Sequence, residues 1–209
     1  MSRILWTLSK GAFRGFEKAF LDVRIRGHGN IPPSPFLLVS NHASFLDAPL
    51  LAFHLPVRCH FLARADLFRN AFGWWLRHMG AYPVSEDGAG AIRAAVRAIR
   101  NGESVAVFPE GTRTRTGSLQ KPHPGAAAIA QLSKCTILPS AVIGTFAALP
   151  PGSRLPRRLP ITVVYGKPIE LATRAAGEPL RECLSRSSTQ IMTEIDLLLC
   201  GITEGQERS

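Results

Sequence analysis

Hydrophobic positions along this chain fall into two patterns. Some segments carry apolar stripes at helical spacing; others are short apolar runs bounded by turn residues. Phe36-Leu37-Leu38-Val39 is such a run and predicts a buried strand. Further strands are predicted over 58–63, 104–108, 136–143 and 161–165. Helices are predicted over 1–25, 44–54, 67–78, 89–100, 125–133 and 180–199. The clearest is 89–100. There Ile92, Ala95, Val96 and Ile99 make one stripe, Arg93, Arg97 and Arg100 face away, and Asn101-Gly102 stops the helix. In 180–199, Leu184, Ile191, Ile195 and Leu198 share a face.

Residues 1–25 read as an amphipathic helix. At about 100° per residue, Leu5, Leu8, Ala12, Phe16 and Phe20 fall on one side, and Arg3, Lys10, Arg14 and Lys18 on another. Trp6 and Phe13 widen the apolar side toward the basic edge, which suits the headgroup plane of a bilayer. Packing of that face on the domain itself is the alternative. The chain then divides into an N-terminal helical segment, 1–29, and a main domain, 30–209, with turn-rich residues 27–35 at the junction.

Strands alternating with helices indicate an α/β fold. The expectation is a single domain with a mixed, largely parallel sheet covered by helices on both faces. The longest charge-free stretch, 135–153, is broken by Pro139, Gly144, Pro150 and Pro151. It reads as a buried strand and a loop, since a spanning helix needs about 20 mostly apolar residues.

Composition changes this picture little. The 209 residues are 45% hydrophobic, and mean hydropathy is +0.08, as in a globular protein with a sizeable core. Cys59, Cys135, Cys183 and Cys200 form no C-x-x-C pair, which argues against a zinc ribbon or a redox motif and fits a reduced cytosolic compartment. The six histidines show no metal-ligand spacing, so no metal is expected. No signal peptide is evident, because Arg3, Lys10 and Arg14 interrupt any apolar core it would need.

Charge matters more. The net charge is +10, and arginines outnumber lysines twenty to five. A basic surface attracts polyanions: nucleic acid, an anionic membrane face or a phosphorylated substrate. Guanidinium groups pair bidentately with phosphate. No aromatic-and-basic pattern supports nucleic acid as the partner.

Two short stretches carry chemistry, and each directly follows a predicted strand. The first is Asn41-His42-Ala43-Ser44-Phe45-Leu46-Asp47. A neutral imidazole can take a proton from an attacking hydroxyl near pH 7, best when a carboxylate holds its other ring nitrogen. On one helix His42 and Asp47 would stand about 140° apart. If the helix starts at Ser44, the Asp47 side chain can fold back to His42. Alternatively, Ser44 and Asp47 form a capping box and Asp47 is only a cap.

The second stretch is Phe108-Pro109-Glu110-Gly111-Thr112-Arg113. Gly111 admits backbone shapes closed to other residues, Thr112 offers a hydroxyl, and Arg113 can fork onto a phosphate. Arg115 and Lys121 add charge nearby.

Asn41-His42-x4-Asp47 resembles the N-H-x4-D motif of the glycerolipid acyltransferase family, whose members include the 1-acyl-glycerol-3-phosphate acyltransferases. The hexapeptide 108–113 is similar to that family's F-P-E-G-T-R motif at all six positions. Residues 121–126 and 137–142 resemble its weaker segments. The likeness spans about residues 30 to 170.

The resemblance implies a set of roles. His42 is the general base and Asp47 its orienting partner. Asn41, Glu110, Gly111, Thr112, Arg113 and Lys121 are substrate-binding. The acyl donor is acyl-CoA or acyl-carrier protein, the acceptor is a lysophospholipid such as 1-acyl-glycerol-3-phosphate, and no cofactor takes part. The product would be phosphatidic acid, made by a peripheral enzyme on the cytoplasmic face of the cell membrane. One segment departs from the family. Glu86 stands where a phosphate-binding arginine is expected, so either Arg93 substitutes or the acceptor differs. There is no G-x-S-x-G elbow and no cysteine near either motif, so transfer is expected to be direct.

Overall fold

The computed structural model describes residues 3–69, 71–78, 80–84, 88–153 and 155–206. Seven strands form one sheet: β1 (Asp22–Arg26), β2 (Phe36–Ser40), β3 (Cys59–Arg64), β4 (Tyr82–Val84), β5 (Ser104–Val107), β6 (Thr136–Ile143) and β7 (Pro160–Tyr165). Their order across the sheet is β1-β7-β6-β2-β5-β3-β4. Strands β2 to β6 run parallel to one another. At one edge β7 turns antiparallel to β6, and β1 follows β7.

The helices are α1 (Arg3–Phe20), α2 (Asp47–His54), α3 (Ala71–His78), α4 (Ala89–Arg100), α5 (Gly125–Ser133), α6 (Thr145–Ala148) and α7 (Leu180–Gln206). They cover both faces. Central strand β2 is wholly buried, and its side chains alternate between two cores. Phe36 and Leu38 join Leu46, Leu50 and Leu51 from the α2 side, with Phe13 and Phe16 of α1 against them. Leu37 and Val39 join Ala95 and Ile99 of α4, Ala127 and Ile129 of α5, and Ile191 and Ile195 of α7.

This layering decides where a site can form. β2 and β5 are neighbours, with Leu38 opposite Ala106. After β2 the chain leaves to α2 on one face; after β5 it leaves to α5 on the other. Such a divergence opens a crevice beyond the strand ends. Both candidate motifs lie there.

Several elements differ from the sequence expectation. The first helix stops at Phe20 rather than running to residue 25. Val23 and Ile25 pack on the core while Arg24 and Arg26 are exposed, a period of two that makes 22–26 an edge strand. The second helix begins at Asp47, not Ser44, because residues 44–46 are a turn. The helix expected over 67–78 is divided into a 3-10 turn at Ala65–Phe68 and α3. Where the two pack, the Gly73 backbone of α3 lies too close to that of Phe68 for any side chain. The short strand β4 has no hydrophobic run to announce it, and α7 extends to Gln206. Glu86 lies outside the described residues.

The first helix docks through one edge of its apolar side, where Phe13 and Phe16 pack on the core. Phe13 meets Phe53 at 5.0 Å between ring centroids, and the Trp6 ring lies beneath the Lys10 ammonium and the Arg58 guanidinium. Glu17 is buried and bonds His54 Nε2 at 2.9 Å. Leu8, Ala12 and Phe20 of the expected stripe stay exposed.

Candidate active site

β2 ends at Ser40, and the next two residues are fixed from both sides. Asn41 is buried and pairs with the main chain of β6: its Nδ2 donates to Val142 O at 2.9 Å, and Val142 N–H donates to its Oδ1 at 2.8 Å. His42 follows. Its Nδ1–H donates to Asp47 Oδ2 at 2.9 Å. The same oxygen accepts the N–H groups of Ala43 and Ser44, both at 2.7 Å. Asp47 Oδ1 accepts from Thr145 Oγ1 at 2.6 Å.

Asp47 is fully buried, a placement that is costly for a carboxylate unless its lone pairs are used. Four donors use them here. As first residue of α2, it also lies where the helix dipole favours negative charge. Capping and orienting are therefore one arrangement. The carboxylate that closes the 43–47 turn is the one that holds the imidazole, and Ser44 Oγ goes instead to Leu149 O at 3.1 Å.

With Nδ1 donating to Asp47, the lone pair resides on Nε2. The ring is clamped flat against Phe108, at 3.9 Å between centroids and 11° between planes. The second motif thus touches the first through its opening residue. Two main-chain bonds complete the join. His42 N–H donates to Glu110 Oε1 at 2.7 Å, and Thr114 N–H donates to His42 O at 2.8 Å. Glu110 Oε2 accepts Gln120 N–H at 2.9 Å. Burial raises the Glu110 carboxyl above its ordinary range, and the two N–H bonds only partly offset that.

Beyond His42 lies a cavity of about 120 Å³. Asn41, His42, Glu110 and Thr114 form its polar side; Leu119, Val142, Phe146 and Leu199 form much of its apolar side. A base at the boundary of polar and apolar walls can serve a reactant with a polar head and a hydrocarbon tail.

Residues 22–143 match the family model described as Acyltransferase. The chain belongs to that acyltransferase family. It is 30% identical over 187 residues to the 1-acyl-sn-glycerol-3-phosphate acyltransferase of Bacillus subtilis, covering 84% of this chain and 91% of that protein. It is 31% identical over 109 residues to the lyso-ornithine lipid O-acyltransferase of Pseudomonas aeruginosa, covering 50% of this chain and 42% of that one. Among solved structures, the 1-acyl-sn-glycerophosphate (LPA) acyltransferase PlsC of Thermotoga maritima matches with a TM-score of 0.70 and 26% identity, over 90% of this chain and 78% of that one.

The remaining candidate residues in this acyltransferase divide into two groups. Asn41 and Glu110 border the cavity, but their polar side-chain atoms bond the main chain. Gly111, Thr112, Arg113 and Lys121 lie outside the cavity wall, on the loop after β5. Gly111 takes φ 71°, and a Cβ there would approach His123 Cδ2 to 2.8 Å, so the turn requires glycine. Thr112 and Lys121 are exposed. Arg113 stacks on Phe45 with Cζ 3.5 Å from the ring centroid. Arg93 is exposed on α4.

Sequence reasoning did not single out three participants: Thr145, Phe108 as a clamp on the imidazole, and Phe45. Phe108 and Phe45 lie inside the motifs. Thr145 lies 98 residues from Asp47 in sequence and carries no local signal. It arrives because β6 pairs with β2 in parallel and delivers its own end beside the 43–47 turn.

Proposed function

We propose that this acyltransferase moves a fatty acyl group from a thioester, acyl-CoA or acyl-carrier protein, to the sn-2 hydroxyl of 1-acyl-glycerol-3-phosphate. Phosphatidic acid is the product. The observation that carries the reading is the buried Asp47 carboxylate holding His42 Nδ1 at 2.9 Å, with the imidazole on the wall of a half-apolar cavity. The names of the relatives from Bacillus subtilis and Thermotoga maritima support the acceptor.

His42 Nε2 takes the proton of the acceptor hydroxyl as its oxygen attacks the thioester carbonyl carbon. A C–O bond forms, and the C–S bond breaks. The departing thiolate takes the proton from the imidazolium, which Asp47 stabilises meanwhile. No covalent enzyme intermediate is needed. Among the described residues no cysteine borders the cavity, and burial drives the Cys59 thiol far above its ordinary range. Arg113 holds the acceptor by its phosphate, with Thr112 and Lys121 on the same loop. Asn41 and Glu110 act through the main chain that they fix.

Among the described residues no helix is long and apolar enough to cross a membrane. The exposed stripe of α1, with Leu8 at 63% and Phe20 at 51% exposure, supports peripheral binding at the cytoplasmic membrane face, where acyl thioesters are made.

A second reading keeps the chemistry and changes the acceptor. The relative from Pseudomonas aeruginosa is named for a lyso-ornithine lipid, and Glu86 replaces an expected phosphate ligand. An acceptor panel separates the two: 1-acyl-glycerol-3-phosphate, glycerol 3-phosphate and a lyso-aminolipid, each with one acyl-CoA. The first reading predicts the highest kcat/KM for 1-acyl-glycerol-3-phosphate. A preference for the lyso-aminolipid overturns it.

A further inference from the structure

Arg113 is half-buried, and among the described residues no carboxylate or carbonyl engages its guanidinium. It lies instead on an aromatic face: Cζ is 3.5 Å from the centroid of the Phe45 ring. Phe45 itself is 65% exposed, so the stacked pair stands at the surface. A guanidinium stacked on a ring is held by its flat face. Its N–H donors point outward in its own plane and stay available. A carboxylate partner would occupy those donors and cancel the charge; a phenyl ring does neither.

The backbone beneath Phe45 is fixed by the catalytic turn. Ser44 N–H donates to Asp47 Oδ2 at 2.7 Å, and Leu46 N–H donates to Ser44 Oγ at 3.4 Å. Asp47 Oδ2 also holds His42. Phe45 thus projects from the turn that carries the base, and Arg113 lies against its ring. The base and the guanidinium are set in one frame although they come from different strands.

We propose that Phe45 is a positioning residue for the acceptor's phosphate: its ring holds the Arg113 guanidinium face-on, with its N–H edge open to the phosphate and in register with His42. This rests on the reading above that Arg113 binds that phosphate. The aromatic face is required, and apolar bulk alone does not replace it.

The test is steady-state kinetics with 1-acyl-glycerol-3-phosphate varied at saturating acyl-CoA, on Phe45→Ala, Phe45→Leu, Phe45→Trp, Arg113→Ala and the double variant Phe45→Ala/Arg113→Ala. Loss of a cation–π contact predicts a rise in acceptor KM of about threefold to thirtyfold in Phe45→Ala and equally in Phe45→Leu, with a much smaller change in kcat and donor KM. Phe45→Trp restores most of the affinity. In the Arg113→Ala background, Phe45→Ala adds nothing further. Thermal melts confirm that the exposed position leaves the fold intact. A Phe45→Leu enzyme with the wild-type acceptor KM overturns the inference. So does a Phe45→Ala effect that persists in full without Arg113. If Arg113→Ala itself leaves acceptor KM unchanged, the phosphate reading fails and the inference fails with it, a result distinct from both others.

Discussion

The main-chain N–H of His42 donates to the side chain of Glu110, 68 residues away, at 2.7 Å. This bond keys the end of β2 to the turn after β5, so the placement of His42 is tied to the second motif. Glu110→Ala removes the acceptor of His42 N–H and of Gln120 N–H together. The expected loss is about 1–3 kcal/mol of folding stability for each bond left without a partner, with a fall in kcat because the base shifts. Denaturant unfolding and turnover on the same preparation check both.

Asp47→Asn should be severe on two counts. The amide keeps one oxygen for the N–H groups of Ala43 and Ser44 but turns its NH2 toward Thr145 Oγ1, and it carries no charge to stabilise an imidazolium. Turnover should fall by about 10²–10⁴, and the melting temperature should fall as well. Thr145→Val removes only one of the four bonds and should cost about 1 kcal/mol and a modest share of kcat. A melting-temperature loss in Asp47→Asn with turnover intact would reduce Asp47 to a cap.

Arg113→Ala should raise acceptor KM by about tenfold or more, as for loss of a charge-assisted bond, and leave donor KM nearly unchanged. Separate titrations of the two substrates decide this. A larger effect on the donor would move Arg113 to the thioester's site.

The N-terminal helix is tied to α2 through buried Glu17 and His54. Burial pushes His54 below the usual histidine range, and the Glu17 carboxylate pulls the other way without outweighing it. Unfolded, a histidine titrates near about pH 6.5. Between that value and the lower folded one, the unfolded chain binds more protons than the folded chain. Stability contributed by neutral His54 is therefore complete above about pH 6.5 and is lost as pH falls through the folded value. Melting temperatures across pH 5 to 8 should show the decline, and His54→Asn should flatten it.

Membrane contact through α1 predicts that Leu8→Asp and Phe20→Asp weaken flotation with anionic vesicles and leave the melting temperature in place, since both residues are already exposed. Undiminished flotation in the double variant would assign membrane contact to another surface.

Much of this fold was legible because helix and strand periods are local. The stripe of Ile92, Ala95, Val96 and Ile99 gave α4 its bounds, and the apolar run at 136–143 gave β6. What escaped was set by distant partners. β1 has only two apolar residues, and its pairing with β7 makes it a strand. Helix α2 starts late because an Asp47 side chain, rather than the backbone, takes the preceding N–H groups. The same holds in the site. His42 and Asp47 are five residues apart and could be paired on spacing, with the outcome depending on the helix start. Glu110 and Asn41 carry motif identity, yet sequence could not distinguish contact with substrate from contact with backbone. Thr145 needed the parallel register of β6 on β2 to be seen at all.

The most direct measurement is acyl transfer from a long-chain acyl-CoA to 1-acyl-glycerol-3-phosphate, with wild type and His42→Ala side by side and folding verified for each. Phosphatidic acid is expected from the wild type and almost none from the variant. A His42→Ala enzyme that keeps half the wild-type rate would contradict the assignment of His42 as the base.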